Sequence, residues 1–170
     1  MKFQLRTWRL DDAFSIAVYA NNEKIAANLR DIFPYPYSKE DAHAYIAGVL
    51  AADDTKQLVF AIDVQGEAVG SIGIALGNDI HCKTAEIGFW LGEPFWHKGI
   101  ITQSIREMTA IAFQTYGIVR IYAEVFAHNT PSRKALERAG FTLEGILKNS
   151  ICKQGKIFDS CIYALVKANT

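Results

Sequence analysis

Apolar residues recur along this chain with two different periods, and each change of period marks an element. Leu58 to Val64 and Ala68 to Leu76 read as two strands joined at Gln65-Gly66, a hairpin. Thr84 to Leu91 predicts a third strand and Ile118 to Phe126 a fourth. In that fourth strand Val119, Ile121, Ala123 and Val125 share one face, and Arg120, Tyr122, Glu124 and Phe126 the other. Between the third and fourth, Ile101, Ile105, Met108 and Ala112 recur at helical spacing. A helix is therefore expected from Thr102 to Tyr116, with Gly117 as its stop.

The flanks complete the pattern. Lys2 to Trp8 predicts an opening strand, and Asp11-Asp12 the acidic cap of a helix to about Ala20. A short helix is expected over Glu23 to Leu29. In "RDIFPYPYSKEDA", Pro34 and Pro36 forbid a regular helix, leaving an aromatic-rich loop. Ser38 and Asp41 form a capping box, with Asp in place of Glu, for a helix from Lys39 to about Ala51. Thr130-Pro131 opens another helix and Gly140 ends it. Phe141 to Gly145 and Ile157 to Val166 supply the last strands, the latter after a Gln154-Gly155 turn.

This order predicts one α/β (α+β) domain over residues 1–170, a mixed, mostly antiparallel twisted sheet of about seven strands flanked by helices. Thr84–Leu91 and Ile118–Phe126, joined by a long helix, should be parallel through a right-handed crossover. A ligand is then expected near the carboxyl ends of these strands, beside the helix N-terminus.

Composition narrows the function. A chain of 170 residues, half of them apolar, buries a sufficient core and is not disordered. Its 18 basic residues balance 18 acidic ones, which excludes the basic excess of a general nucleic-acid binder. Cys82, Cys152 and Cys161 show no CxxC spacing, so neither a disulfide framework nor a zinc site is expected, and no other metal site. No apolar run reaches the ~18 residues of a membrane span, and the N-terminus does not read as a signal peptide. A reducing, cytoplasmic setting is inferred.

The chemistry concentrates in "EIGFWLGEPFWHKGIITQSIREM", Glu86 to Met108. Gly99 stands where the strand hands over to the helix. About four backbone N–H groups lack partners there and carry roughly half a positive charge. Glycine lets a phosphate approach that backbone, Lys98 adds a charge and Thr102 a hydroxyl. A lone Gly at such a junction is more often only a turn. The stretch is neither a Walker A loop nor a dinucleotide fingerprint.

"FWHKGIITQSI" resembles the pyrophosphate loop of GNAT acyl-CoA N-acetyltransferases, of the form Q/R-x-x-G-x-G/A, and especially the YWGKGYxTEA variant of the ribosomal-protein N-terminal alanine or serine acetyltransferases. "VFAHNTPSRKALERAGFTLEG", Val125 to Gly145, resembles that group's VxxxNxxSxxxLExxGFxxEG, and "NLRDIFPYPYSKEDA", Asn28 to Ala42, its N-terminal segment. The resemblance implies a sheet splayed at the cofactor strands and acetyl-CoA as cofactor. The backbone of Phe89, Trp90 and Leu91 should pair with the pantetheine arm. Backbone N–H groups of His97, Lys98, Gly99, Ile100, Ile101 and Thr102 should hold the pyrophosphate. Asn129 should hydrogen-bond the pantetheine region. Ser132, also a cofactor contact, matches the hydroxyl that protonates the leaving thiolate; Ser is also common in a helix first turn for capping reasons. The more widespread family pattern has a Tyr acid where this chain has Leu136. His97 replaces the usual Gly and Ile101 the usual small residue.

For the general base the preferred residue is Glu86, which strand alternation places on the same face as Gly88 and Trp90. Glu124 and Asp159 are alternatives. Asp31, Tyr35 and Tyr37 lie in the loop expected to roof the acceptor. The expected reaction is acetylation of a primary amine, above all a protein N-terminal α-amine. Alternatives are a small amine (polyamine, amino acid or antibiotic) or a non-catalytic acyl-CoA-binding module. A monomer or homodimer is expected, since the strands from Ile151 onward offer a surface for a second subunit.

Overall fold

The computed structural model describes residues 1–168. Seven strands form one sheet: β1 Gln4–Arg6, β2 Gln57–Val64, β3 Glu67–Leu76, β4 Thr84–Leu91, β5 Arg120–Phe126, β6 Thr142–Lys153 and β7 Lys156–Val166. Their spatial order is β1-β2-β3-β4-β5-β7-β6, and every neighbouring pair is antiparallel except β4 with β5. The helices are α1 Ala13–Ala20, α2 Glu23–Ala26, α3 Lys39–Leu50, α4 Ile100–Thr115 and α5 Thr130–Arg138.

Two cores clamp the sheet. On one face α4 buries Ile100, Ile105, Met108 and Ala112 and α5 buries Leu136, all against Ile72, Ile87, Leu91, Ile121 and Tyr163. On the other face Ile16 of α1 and Ile46 of α3 pack with Trp8, Ala61 and Ala68. The β2–β3 turn places Gln65 and Gly66 at positive φ, as a tight two-residue hairpin requires. The Ser38–Asp41 capping box is formed, with Asp41 N donating to Ser38 Oγ at 3.1 Å and Ser38 N to Asp41 Oδ2 at 2.8 Å.

Some expectations need correcting. Asp12 does not cap α1; its carboxylate accepts from Arg6 and from the Arg9 amide, so it closes the 3-10 turn Leu10–Asp12 and receives the half-buried Arg6 cation. α4 starts two residues early, because Gly99 rather than the following isoleucines is its cap. Val119 precedes β5 and is exposed, while Phe126, on the opposite face, is buried. β6 runs on to Lys153, irregular between Leu143 and Gly145 and again between Leu147 and Ile151, which hides its alternation. Cys82, Cys152 and Cys161 are free thiols. Among the described residues no helix is long and apolar enough to cross a membrane, and no His, Cys, Asp or Glu group has the arrangement of a metal site.

Candidate active site

The parallel pair at the centre of the sheet is barely a pair. β4 and β5 meet only through Thr84 with Arg120, Ala85 with Ile121 and Glu86 with Tyr122. Beyond Glu86, β4 continues along β3 alone, and beyond Tyr122, β5 continues along β7 alone. The strands therefore part toward their carboxyl ends, and each presents a backbone edge to the gap. Phe89, Trp90 and Leu91 lie on one lip; an extended chain with amide groups fits such an edge as an added strand would.

At the open end the chain makes a tight passage from β4 into α4. Trp96 Nε1 donates to the Leu91 carbonyl at 2.7 Å, tying the loop to the end of the strand. Lys98 Nζ donates to the Pro94 carbonyl at 2.7 Å and lies 5.5 Å from the Phe95 ring centre, so its charge is fixed beside the loop. His97 has φ 60 and Gly99 φ 77, both left-handed. A Cβ on Gly99 would meet nothing within 4 Å, so this glycine answers to the backbone and not to crowding. His97 in the same region agrees with its standing where the resembled loop has Gly. No side chain caps α4 and no acid lies in its first turn. The N–H groups of Ile100, Ile101 and Thr102 precede the first intrahelical donor, with a 16-residue helix dipole behind them. This backbone suits a pyrophosphate.

α5 follows β5 and carries Ser132 in its first turn. Asn129 is its N-cap, with Oδ1 accepting from Ser132 N at a long 3.4 Å. The orientation of the helix is fixed elsewhere. Buried Tyr163 donates its OH to Glu137 Oε1 at 2.7 Å and accepts from Arg133 Nε at 3.0 Å, while Arg133 Nη1 donates to the Ala127 carbonyl at 2.9 Å. Leu136 is core, packed where the widespread pattern has its Tyr acid.

The segment after α2, expected to roof the acceptor, is held at three points. Asn28 Oδ1 meets His128 Nε2 at 3.1 Å, Arg30 forms an ion pair with Glu86, and Lys153 Nζ donates to Asp31 Oδ1 at 2.8 Å and to the Leu29 carbonyl at 2.9 Å. Phe33 then packs edge-on against Trp90, with ring centres 5.8 Å apart. Of the three loop residues expected to face the acceptor, Asp31 and Tyr35 are exposed, but Tyr37 is buried in the second core. Desolvation there raises its phenol above the ordinary range. Arg30 and Phe33, not singled out in the sequence, are the loop residues that reach β4.

Each candidate base is engaged. Glu86 holds Arg30 and faces Tyr122, whose phenol is raised by burial and then by the Glu86 charge. Glu124 accepts from Ser160 Oγ at 2.7 Å, and Ser160 Oγ lies 2.6 Å from Ser150 Oγ. Asp159 binds Lys148 Nζ and the Asn149 amide, both at 2.9 Å, and these hydrogen bonds, that of Lys148 foremost, hold its carboxyl below the ordinary range.

A parallel pair that splits beside an uncapped, glycine-led helix is the architecture of an acyl-CoA-dependent acyltransferase. Residues 2–142 match the Acetyltransferase (GNAT) domain family; the chain belongs to it and is an acetyl-CoA-dependent N-acetyltransferase. It is 24% identical to the uncharacterized N-acetyltransferase p20 of Bacillus licheniformis over 98% of this chain and 93% of that one. The uncharacterized N-acetyltransferase YoaA of Bacillus subtilis is 32% identical, but the match spans 59% of this chain and 56% of the relative. The ribosomal-protein-serine acetyltransferase of Escherichia coli is 29% identical over 76% of this chain and 72% of that one. Among solved structures, a ribosomal alpha-N-protein acetyltransferase, RimL, in complex with coenzyme A superposes with a TM-score of 0.86 at 25% identity, covering 98% of this chain and 95% of that one. The microcin self-immunity acetyltransferase MccE, in complex with acetyl-CoA and AMP, gives 0.85 at 26% identity over 97% and 92%.

Proposed function

We propose that the chain transfers the acetyl group of acetyl-CoA to the N-terminal α-amine of a protein or peptide. The observation that carries this reading is that Glu86, Glu124 and Asp159 are all engaged by donors, so none of the three candidate bases stands free. An α-amine with pKa near 7.8 is roughly a quarter neutral at pH 7.4, while a lysine amine is ~0.1% neutral. The α-amine thus asks ~250-fold less of a base, over ~3 kcal/mol. The ribosomal-protein acetyltransferases among the relatives support the same acceptor class.

Acetyl-CoA supplies the activated acyl group as a thioester. In this reading the backbone edge at Phe89–Leu91 holds the arm in line, and the amides of His97 to Thr102 hold the pyrophosphate. A β4 amide near Trp90 receives the charge that develops on the acyl oxygen. Glu86 takes the amine proton through a water once Arg30 turns aside, with Glu124 as the second carboxylate on that face. Ser132 returns a proton to the departing sulfur. A cytoplasmic, reducing setting suits the exposed thiols of Cys82 and Cys152.

Two measurements test this. Turnover is compared across peptides with free N-termini, spermidine and free amino acids; a preference for peptide α-amines is expected, and turnover of small amines alone removes the peptide reading. Ser132→Ala should lower kcat with acetyl-CoA affinity unchanged, whereas an unaltered kcat takes Ser132 out of the chemistry.

A further inference from the structure

The central strands contain three glycines away from any turn, and two have a steric reason. A Cβ on Gly70 would stand 2.5 Å from the Trp90 carbonyl oxygen, and one on Gly73 2.9 Å from Val59 Cγ2. Gly88 has none. A Cβ there would meet nothing within 4 Å, its φ is not positive, and it is exposed. Glycine weakens a strand interior, and where neither neighbours nor backbone sign demand it, a close-approaching ligand is the remaining physical reason.

Its position says which ligand. Gly88 is the second residue of β4 past the last pair with β5, and it lies opposite Gly73 of β3. Alternation puts it between Glu86 and Trp90 on one face of the sheet. Arg30 stands on Glu86 and Phe33 on Trp90, so the roof loop passes over this bare panel. The acyl arm is expected in the plane of the sheet, against the backbone edge. A side chain at position 88 points out of that plane, toward the roof, and does not meet the arm.

We propose that Gly88 is the floor of the acceptor seat and limits the bulk tolerated at the carbon bearing the reacting amine. This rests on the acceptor entering on the Glu86 face. An acceptor with a slender first residue lies flat on the panel, its amine near Glu86 and the gap. A methyl or isopropyl group there takes up the same space.

Gly88→Ala and Gly88→Val test it in steady-state assays with peptides beginning Gly, Ala, Ser and Val, together with acetyl-CoA affinity by calorimetry and thermal unfolding. The expected result is wild-type acetyl-CoA affinity and an unchanged or raised Tm. Acceptor kcat/KM should fall about tenfold or more, further for Val than for Ala at position 88, and most for the bulkiest peptide. Unchanged acceptor kcat/KM in Gly88→Val overturns the proposal, and so does a loss confined to acetyl-CoA affinity. If Gly88→Val does not fold, Gly88→Ala decides alone. A wild-type enzyme that prefers a small amine to every peptide removes the peptide reading, and the Gly88 variants are then scored on that amine by the same criteria.

Discussion

His97 and Gly99 share a left-handed backbone, but only glycine holds it without cost. For an L-residue that conformation costs ~1–2 kcal/mol, partly offset when glycine replaces it by the freedom glycine gains in the unfolded chain. His97→Gly should therefore stabilise the fold by up to about 1 kcal/mol and keep acetyl-CoA affinity; a lowered Tm would contradict this. Gly99→Glu should abolish acetyl-CoA binding in calorimetry, because it sets a carboxylate where the helix end receives an anion. At this scale the sequence was partly readable. Gly99 and the substituted Gly at His97 stood out by position. The hydrogen bond of Trp96 to the Leu91 carbonyl was not readable, because it depends on the loop's shape. Tyr37 misled, because one loop turns some aromatic rings inward and others out.

Among the elements, the segment from Asn28 to Asp31 owes its place to partners far along the chain, Glu86, His128 and Lys153. Lys153 is the best buried of the holding side chains, 11% exposed, and it serves both the Asp31 carboxylate and the Leu29 carbonyl. Lys153→Ala should raise the acceptor KM severalfold while acetyl-CoA affinity and kcat at saturation hold. A parallel loss of acetyl-CoA affinity would deny the loop its separate role. Caps, turns and periods gave the helices and the first five strands close to their observed bounds, since those signals are local. The three ties are not local, and neither are the irregularities that disguise β6.

For the molecule as a whole, the unforeseen element is a buried charge cluster. Arg6 Nε donates to Asp63 Oδ2 at 2.6 Å, and its Nη1 and Nη2 each reach the Asp12 carboxylate at 2.7 Å. It joins the three-residue edge strand β1 to β2 and to the turn before α1. Burial disfavours the Asp12 charge, but the hydrogen bonds from Arg6 and the Arg9 amide outweigh it and hold the carboxyl below the ordinary range. A depressed folded value means the unfolded chain binds the proton first as pH falls. The stabilisation is complete above the ordinary carboxylate range and is lost as pH drops through the folded value. Arg6→Met strands two buried carboxylates and should cost about 3–5 kcal/mol near neutral pH. Its Tm should converge on that of the wild type as the pH falls through the depressed folded value of Asp12. A constant difference across the acid range would assign the loss to packing instead.

The central gap has a mechanical side. Four strands on one side and three on the other are paired through only three residue pairs, and otherwise meet through the shared core under α4 and the tied roof segment. The strand pairing between the halves is thus as short as that of the edge strand β1. A molecule that hydrogen-bonds to both lips is a cross-tie, so loading the acyl donor stiffens the protein before any bond is made. On that reading the expected order of arrival is donor first and amine second; product-inhibition patterns check it, and a random order would contradict it.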